Sequence, residues 1–426
     1  MTAPSPLLDL HAARGAAFAQ YGEADGRAGI AVPMAYGPVE VEYAAIRRSA
    51  GVLDLPQRGV VEVVGADRVE FLNRMISQDV RTIVPGRCAR AFWLNRKGRI
   101  DADLRVWHLE DRTLLDIDAH AAGRTVTGLG AYIVADDVAI REISAATHRM
   151  AIHGPGACLA AASILDDDDD RDRLAVLPPD RCLLATASGW PVVIAREDQT
   201  AQVGLEFMCP AESATTLYTA LLEKGGWLDA QAAQPAPPSP GPTPGARRAA
   251  ATLRPIGWHA FNTARIEAGT PLYNIDFGPD SLPAETGVFD DRVCLTKGCY
   301  LGQEIVARMH ARGQARRRLV AIRLDRSIPI GGGTPDTPPP SPRQPETGAA
   351  VRAADNPAGD PIGAVTSSAL SPMLGQTPVC FAMVTPDRSD ADTPVEIDCQ
   401  GSSVRGVVQP SLRFLVRPEP SPATRP

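Results

Sequence analysis

Short hydrophobic blocks at two different periods run through most of this chain. Val60-Val61-Glu62-Val63-Val64 has the β-branched density of a strand. Gly65-Ala66-Asp67 then turns into a stretch whose apolar positions, Val69, Phe71, Leu72, Met75 and Ile76, fall at helical spacing. Ala89 to Leu94 and Ile100 to His108 are predicted as the arms of a hairpin. Asn95-Arg96-Lys97-Gly98 forms its turn, and Ile100, Ala102, Leu104 and Val106 alternate inward. Residues 5–20 and 42–50 are predicted as helices, 114–117 as a strand, 119–133 as a helix, and 147–228 as a further mixed segment. Beyond Arg318 the pattern becomes a series of short strands, at 319–324, 364–367, 379–384, 395–398 and 403–408, as in a small C-terminal barrel. Antiparallel hairpins mixed with helices give an α+β fold class rather than a doubly wound parallel sheet.

Length and composition set the limits of this picture. The 426 residues exceed what one core usually supports, so two or three domains are expected. The boundaries predicted are 1–145, 146–315 and 316–426, with proline-rich insertions at 229–248 and 334–347. Asp166 to Asp170 reads as a solvated loop of like charges. A net charge of −7 argues against bulk affinity for nucleic acid, although a local arginine cluster (Arg308, Arg312, Arg316, Arg317, Arg318) suits RNA or a small anion. No apolar run approaches a bilayer span, so no membrane association is expected. The first twenty residues lack the order of a secretory signal, and Asp9 with the single Arg14 argues against a transit peptide. A cytoplasmic location follows as the expectation.

The chemistry concentrates at Lys297-Gly298-Cys299-Tyr300-Leu301-Gly302-Gln303-Glu304. A thiol beside a lysine and ahead of a helical stretch should lose its proton readily, and the thiolate is the nucleophilic and metal-ligating form. Only three of the 43 basic residues are lysines, at 97, 224 and 297, and each precedes a glycine. Lysine supplies a compact charge of tunable pKa that arginine does not. Lys224 reads as an ordinary lysine ahead of a helix-capping glycine. Lys97 and Lys297 are functional candidates. The eight cysteines form no CxxC pair, so no zinc knuckle or redox motif is present and no metal site is expected. Cys299 alone is assigned a working role.

From here the residues resemble a known family. Gly51-Val52-Leu53-Asp54-Leu55, Val63-Val64-Gly65-Ala66-Asp67, Ser77-Gln78-Asp79-Val80 and Leu94-Asn95-Arg96-Lys97-Gly98-Arg99-Ile100 occur in the order of the glycine-cleavage T-protein (aminomethyltransferase) superfamily. Gly204-Leu205-Glu206-Phe207, Arg265-Ile266-Glu267-Ala268-Gly269 with Tyr273 and Asp276, and Ile362 to Ser367 with Ser371-Pro372 continue the series. The resemblance covers roughly residues 35–415. T-proteins carry a phenylalanine-containing segment where this chain has its cysteine octapeptide. The cysteine form is similar to YgfZ-type folate-binding proteins, which support assembly or repair of iron–sulfur clusters.

The resemblance implies a three-domain ring that holds tetrahydrofolate or a one-carbon derivative in a central channel. Glu206 matches the carboxylate that receives the pterin N–H groups. Tyr300, Gln303, Arg265 and Lys97 are the further folate-binding candidates. Cys299, Lys297, Asp103 and Asp101 are the candidates for chemistry. T-proteins have adjacent aspartates in the hairpin, whereas this chain has Ala102 and Asp103, with Asp101 one place earlier. Three functions follow as expectations. The first is a tetrahydrofolate-binding accessory protein for iron–sulfur cluster assembly, whose partners are folate and iron–sulfur client or assembly proteins. The second is a folate-dependent aminomethyltransferase, and the third a tRNA-modification helper that binds RNA. Whether the chain is an enzyme stays open between them, and no Gly-x-Gly-x-x-Gly supports a flavin-dependent relative.

Overall fold

The computed structural model describes residues 4–22, 28–226, 253–313, 315–325 and 343–415. The insertion at 229–248 and positions 334–342 of the second one lie outside the described residues. The chain divides into two compact units interleaved in sequence. One takes residues up to 198 together with 202–261 and 290–307; the other takes 199–201, 262–289 and the chain from 308 onward.

The first unit is built on two sheets. Arg87–Leu94, Ile100–His108, Thr113–Asp118, Arg58–Val64 and Ala139–Glu142 form, in that order, an antiparallel five-stranded sheet. The predicted hairpin is its first pair. Ile100, Ala102, Leu104 and Val106 are buried, while Asp101, Asp103 and Arg105 alternate with them on the other face. Cys182–Ala187, Trp190–Arg196, Gly204–Pro210, Thr147–His153, Ala50–Asp54 and Leu253–Ile256 make the six-stranded sheet. Its last pairing is parallel. Leu253–Ile256 carries Pro255, which a ladder tolerates at an edge, and the sequence pattern did not reveal it. Ala17–Tyr21, Ile30–Ala35 and Ala350–Ala353 are strands that were also missed.

Two expectations are corrected. The N-terminal helix spans only Leu8–Ala13, because Gly15 takes a φ of +74° and the chain re-enters as strand Ala17–Tyr21. The aspartate run is not a loop. Asp167 caps a helix Asp168–Ala175 by accepting from the Asp169 N–H, and the acidic first turn suits the positive end of the helix dipole.

In the second unit the predicted barrel is closed, ordered Arg318–Leu324, Thr377–Val384, Gly363–Ser371, Ala350–Ala353, Pro394–Cys399, Ser402–Val408 and back to the first. Val320, Ile322, Val351, Val365, Cys380, Val395 and Ile397 are among the side chains filling it. With these antiparallel sheets, helices and barrel, the α+β class holds.

His153 gives the first unit an acid sensitivity. It lies at the end of strand Thr147–His153 and is 1% exposed, and no described residue hydrogen-bonds its Nδ1. Burial pulls its imidazole down to about 4. Between the ordinary value of about 6.5 and about 4 the unfolded chain takes up a proton that the folded chain refuses. Stability should therefore fall as pH drops through that window, by up to about 3 kcal/mol. Urea midpoints of the wild type and His153→Gln across this range check it, and an unchanged pH slope in the variant would remove His153 as the cause.

Candidate functional site

Glu206 lies on the strand Gly204–Pro210 and is 1% exposed. Arg105 from the hairpin and Arg149 from the neighbouring strand each donate to one of its oxygens, at Oε1 and Oε2 respectively. Arg58 makes a paired contact with Asp116, at 3.2 and 2.8 Å. Arg105 stands 3.4 Å from Asp116, and Arg149 stands 3.3 Å from it without hydrogen-bond geometry. The result is a buried cluster in which three guanidiniums meet two carboxylates between the two sheets. Burial alone would push the Glu206 carboxyl up; Arg105 and Arg149 outweigh it and hold the group below its usual range. Arg149 also stacks over the Trp107 ring, 4.1 Å from its centroid. Neither arginine drew attention in the sequence. The place of Arg105 in line with Asp101 and Asp103, on the hairpin face opposite Ile100, Ala102 and Leu104, was the signal available for the first of them.

The hairpin aspartates are both engaged. Asp101 accepts from the Asn95 amide at 3.0 Å. Asp103 faces Arg292, whose Nε donates to Oδ1 at 2.8 Å and Nη2 to Oδ2 at 3.4 Å.

The loop 293–302 is docked on the hairpin turn. A Cβ at Gly302, where φ is +81°, would come within 2.7 Å of the Asn95 carbonyl oxygen, and one at Gly98, where φ is +69°, within 2.8 Å of Ile305. The two glycines let the turns interlock. Lys297 is 5% exposed, and its ammonium donates to the carbonyls of Asn73, Ile76 and Gln78 at 2.6, 2.8 and 2.8 Å. It therefore closes the C-terminal end of helix Arg68–Met75, and burial pulls its amine down to about 8. Its ammonium also lies 5.2 Å from the centroid of the buried Tyr300 ring. Cys299 is exposed, and no described residue hydrogen-bonds its thiol. Gln303 opens the helix Gln303–Arg312, and Lys97 is exposed on the hairpin turn.

Arg265 belongs to the second unit and is wholly buried. It ion-pairs with Asp276 and donates to the side chain of Asn262 and the carbonyl of Thr270. Asp276 accepts in turn from Thr366, at 3.0 Å, and from Ser367. The structure thus brings Asp101, Asp103, Glu206, Lys97, Lys297, Cys299, Tyr300 and Gln303 into one unit and places Arg265 in the other.

Residues 7–234, more than half of the chain, match the profile of the GCVT N-terminal domain. Residues 337–413 match the glycine cleavage T-protein C-terminal barrel domain. The chain belongs to the glycine cleavage T-protein family. Curated relatives named aminomethyltransferase share 28% identity over 410 residues in Cutibacterium acnes, which is 95% of this chain and 96% of the relative. Those of Bacillus cytotoxicus and Geobacillus kaustophilus share 26% and 25%, again over 95% or more of both chains. The glycine cleavage system aminomethyltransferase T of Bartonella henselae superimposes with a TM-score of 0.76 at 22% identity, covering 97% of this chain and 98% of that one. That likeness carries the fold. Within this T-protein fold no described helix is long and apolar enough to cross a membrane.

Proposed function

We propose that this chain binds tetrahydrofolate or a one-carbon derivative of it. The observation that carries the reading is its alignment, nearly end to end, with aminomethyltransferases. Transfer of an aminomethyl carbon to tetrahydrofolate is the activity those relatives favour. Glu206 would recognise the pterin, and Asp103 would stand beside the reacting carbon. Both oxygens of Glu206 already accept from guanidiniums, so pterin N–H groups would share the carboxylate with Arg105 and Arg149 or displace one of them.

A second reading rests on one specific contrast. Asp103 is held by Arg292, Ala102 stands where T-proteins carry the other aspartate, and the exposed thiol of Cys299 lies on a loop docked to the same hairpin. These favour an accessory role in iron–sulfur cluster assembly or repair, as the YgfZ-type octapeptide suggests. A single thiolate suits transient contact, since a retained cluster generally takes four ligands.

Calorimetric titration of tetrahydrofolate into the full chain tests the common part. Micromolar binding is expected, and no heat of binding would overturn both readings. Folate-dependent release of ammonia from an aminomethyl-lipoyl carrier then separates them. Turnover establishes the transferase. Binding without turnover, joined to loss of iron–sulfur enzyme activity in cells carrying Cys299→Ala, establishes the accessory role.

A further inference from the structure

The outer edge of the strand Arg87–Leu94 is paired towards both ends and open in the middle. This strand ends the five-stranded sheet, so every second residue turns its N–H and carbonyl away from the hairpin partner. At one end the Cys88 N–H donates to the Asp180 carbonyl at 2.8 Å. At the other the Ser77 N–H donates to the Phe92 carbonyl at 2.9 Å, and the Phe92 N–H to the Ser77 hydroxyl at 2.8 Å. Both covering segments run antiparallel to the strand, through the bridges of Arg87 with Arg181 and of Trp93 with Ile76. Arg90 lies midway between Cys88 and Phe92 and shares their outward orientation, yet no described residue bonds its backbone N–H or carbonyl. Cys88, Ala89 and Arg90 line a polar cavity of about 350 Å³ within the first unit.

Side chains mark the two ends of this gap. The Arg90 guanidinium is itself taken by Glu197 and stands 3.7 Å from Asp291. Gln78 donates to the Asp291 carbonyl at 3.2 Å, which places Asp79 and Asp291 at the Ser77 end of the cavity. Arg87 stands at the other end, and its guanidinium has no hydrogen bond or ion pair with a described residue. Asp180 pairs opposite Cys88, the next residue, so it belongs to the other face of the strand from Arg87.

We propose that this cavity binds a short peptide with a free carboxyl end, which completes the ladder by exchanging hydrogen bonds with the Arg90 N–H and carbonyl. Running antiparallel like the two flanking segments, the peptide sets its carboxylate at Arg87 and its ammonium towards Asp79 and Asp291. The span fixes the length. Four strand steps of about 3.3 Å separate Cys88 from Phe92, and their partners fill both ends, so about two residues fit between. The same flanks leave no room for the edge strand of another protein, which needs an uninterrupted row of open groups. The inference does not rest on folate binding.

Hydrogen exchange and calorimetry on the full chain test it, with L-alanyl-L-alanine as the probe. In the free chain the Arg90 amide should exchange fast, and at saturating dipeptide about tenfold or more slowly, while the Ala89 and Ala91 amides stay slow throughout. Arg87→Gln, and amidation of the dipeptide's carboxyl group, should each weaken binding about tenfold. An Arg90 amide as protected as that of Ala89 in the free chain, or unmoved by the dipeptide, would overturn the site without any variant. Equal binding of the acid and the amide would overturn it too. So would tighter binding of a long strand-forming peptide, which would make the edge a protein-docking surface instead.

Discussion

Replacing Glu206 with alanine should cost the fold about 3–5 kcal/mol, the usual penalty for removing one partner of a buried ion pair. Arg58, Arg105 and Arg149 would then share Asp116, with Glu197 acting on Arg105 as well, in a place where water reaches none of them freely. The charge left uncompensated dominates the loss, because hydrogen bonds to charged groups are individually worth about 1.5–3 kcal/mol. Arg149→Met should be milder, since it removes one cation's desolvation cost and leaves Glu206 paired with Arg105. Urea unfolding of both variants checks the order. A Glu206→Ala midpoint equal to wild type would mean that the cluster adds nothing to stability and that the carboxylate is retained for a ligand. The same physics bears on folate titration. Weak binding by Glu206→Ala reports on pterin contacts only if the variant is first shown to be folded at the working temperature.

The hairpin and the barrel were legible because their sequences alternate over several residues with a turn signal between. Ile100 to Val106 needs no tertiary information to declare its buried face. The strand Leu253–Ile256 was hidden for the opposite reason: it is short, contains Pro255, and takes its pairing from Ala50–Asp54, two hundred residues away. The motif containing Asp54 was visible, but its purpose was not. That carboxylate is buried and contacts His11 at 3.0 Å and His148 at 2.7 Å, residues that local sequence does not connect. Site residues divide in the same way. Asp103 and Glu206 were singled out through a resemblance and Cys299 through its local sequence, whereas Arg292, Arg105 and Arg149 exist as partners of the two carboxylates only after folding.

Lys297→Met should destabilise the first unit by about 3 kcal/mol or more, since each buried carbonyl stripped of its donor costs about 1–3 kcal/mol. Three acceptors depend on this one ammonium. Their convergence also accounts for a lysine in a chain that otherwise prefers arginine. A compact ammonium sends three N–H bonds in tetrahedral directions, which suits carbonyls gathered at a helix end, whereas a planar guanidinium is wider and aims in one plane. Lys297→Arg should therefore restore little of the loss. The expectation from sequence alone was that this charge serves the Cys299 thiol; in the fold its N–H bonds are spent on Asn73, Ile76 and Gln78, and the thiol it faces electrostatically is Cys294. Thermal melts of the two variants read the stability. Alkylation rates read the loop, and both cysteines should become more accessible once residues 293–302 lose their anchor. If Lys297→Met melts with the wild type, the three contacts carry no net stability. The lysine would then have to be explained by the chemistry of its neighbouring thiols.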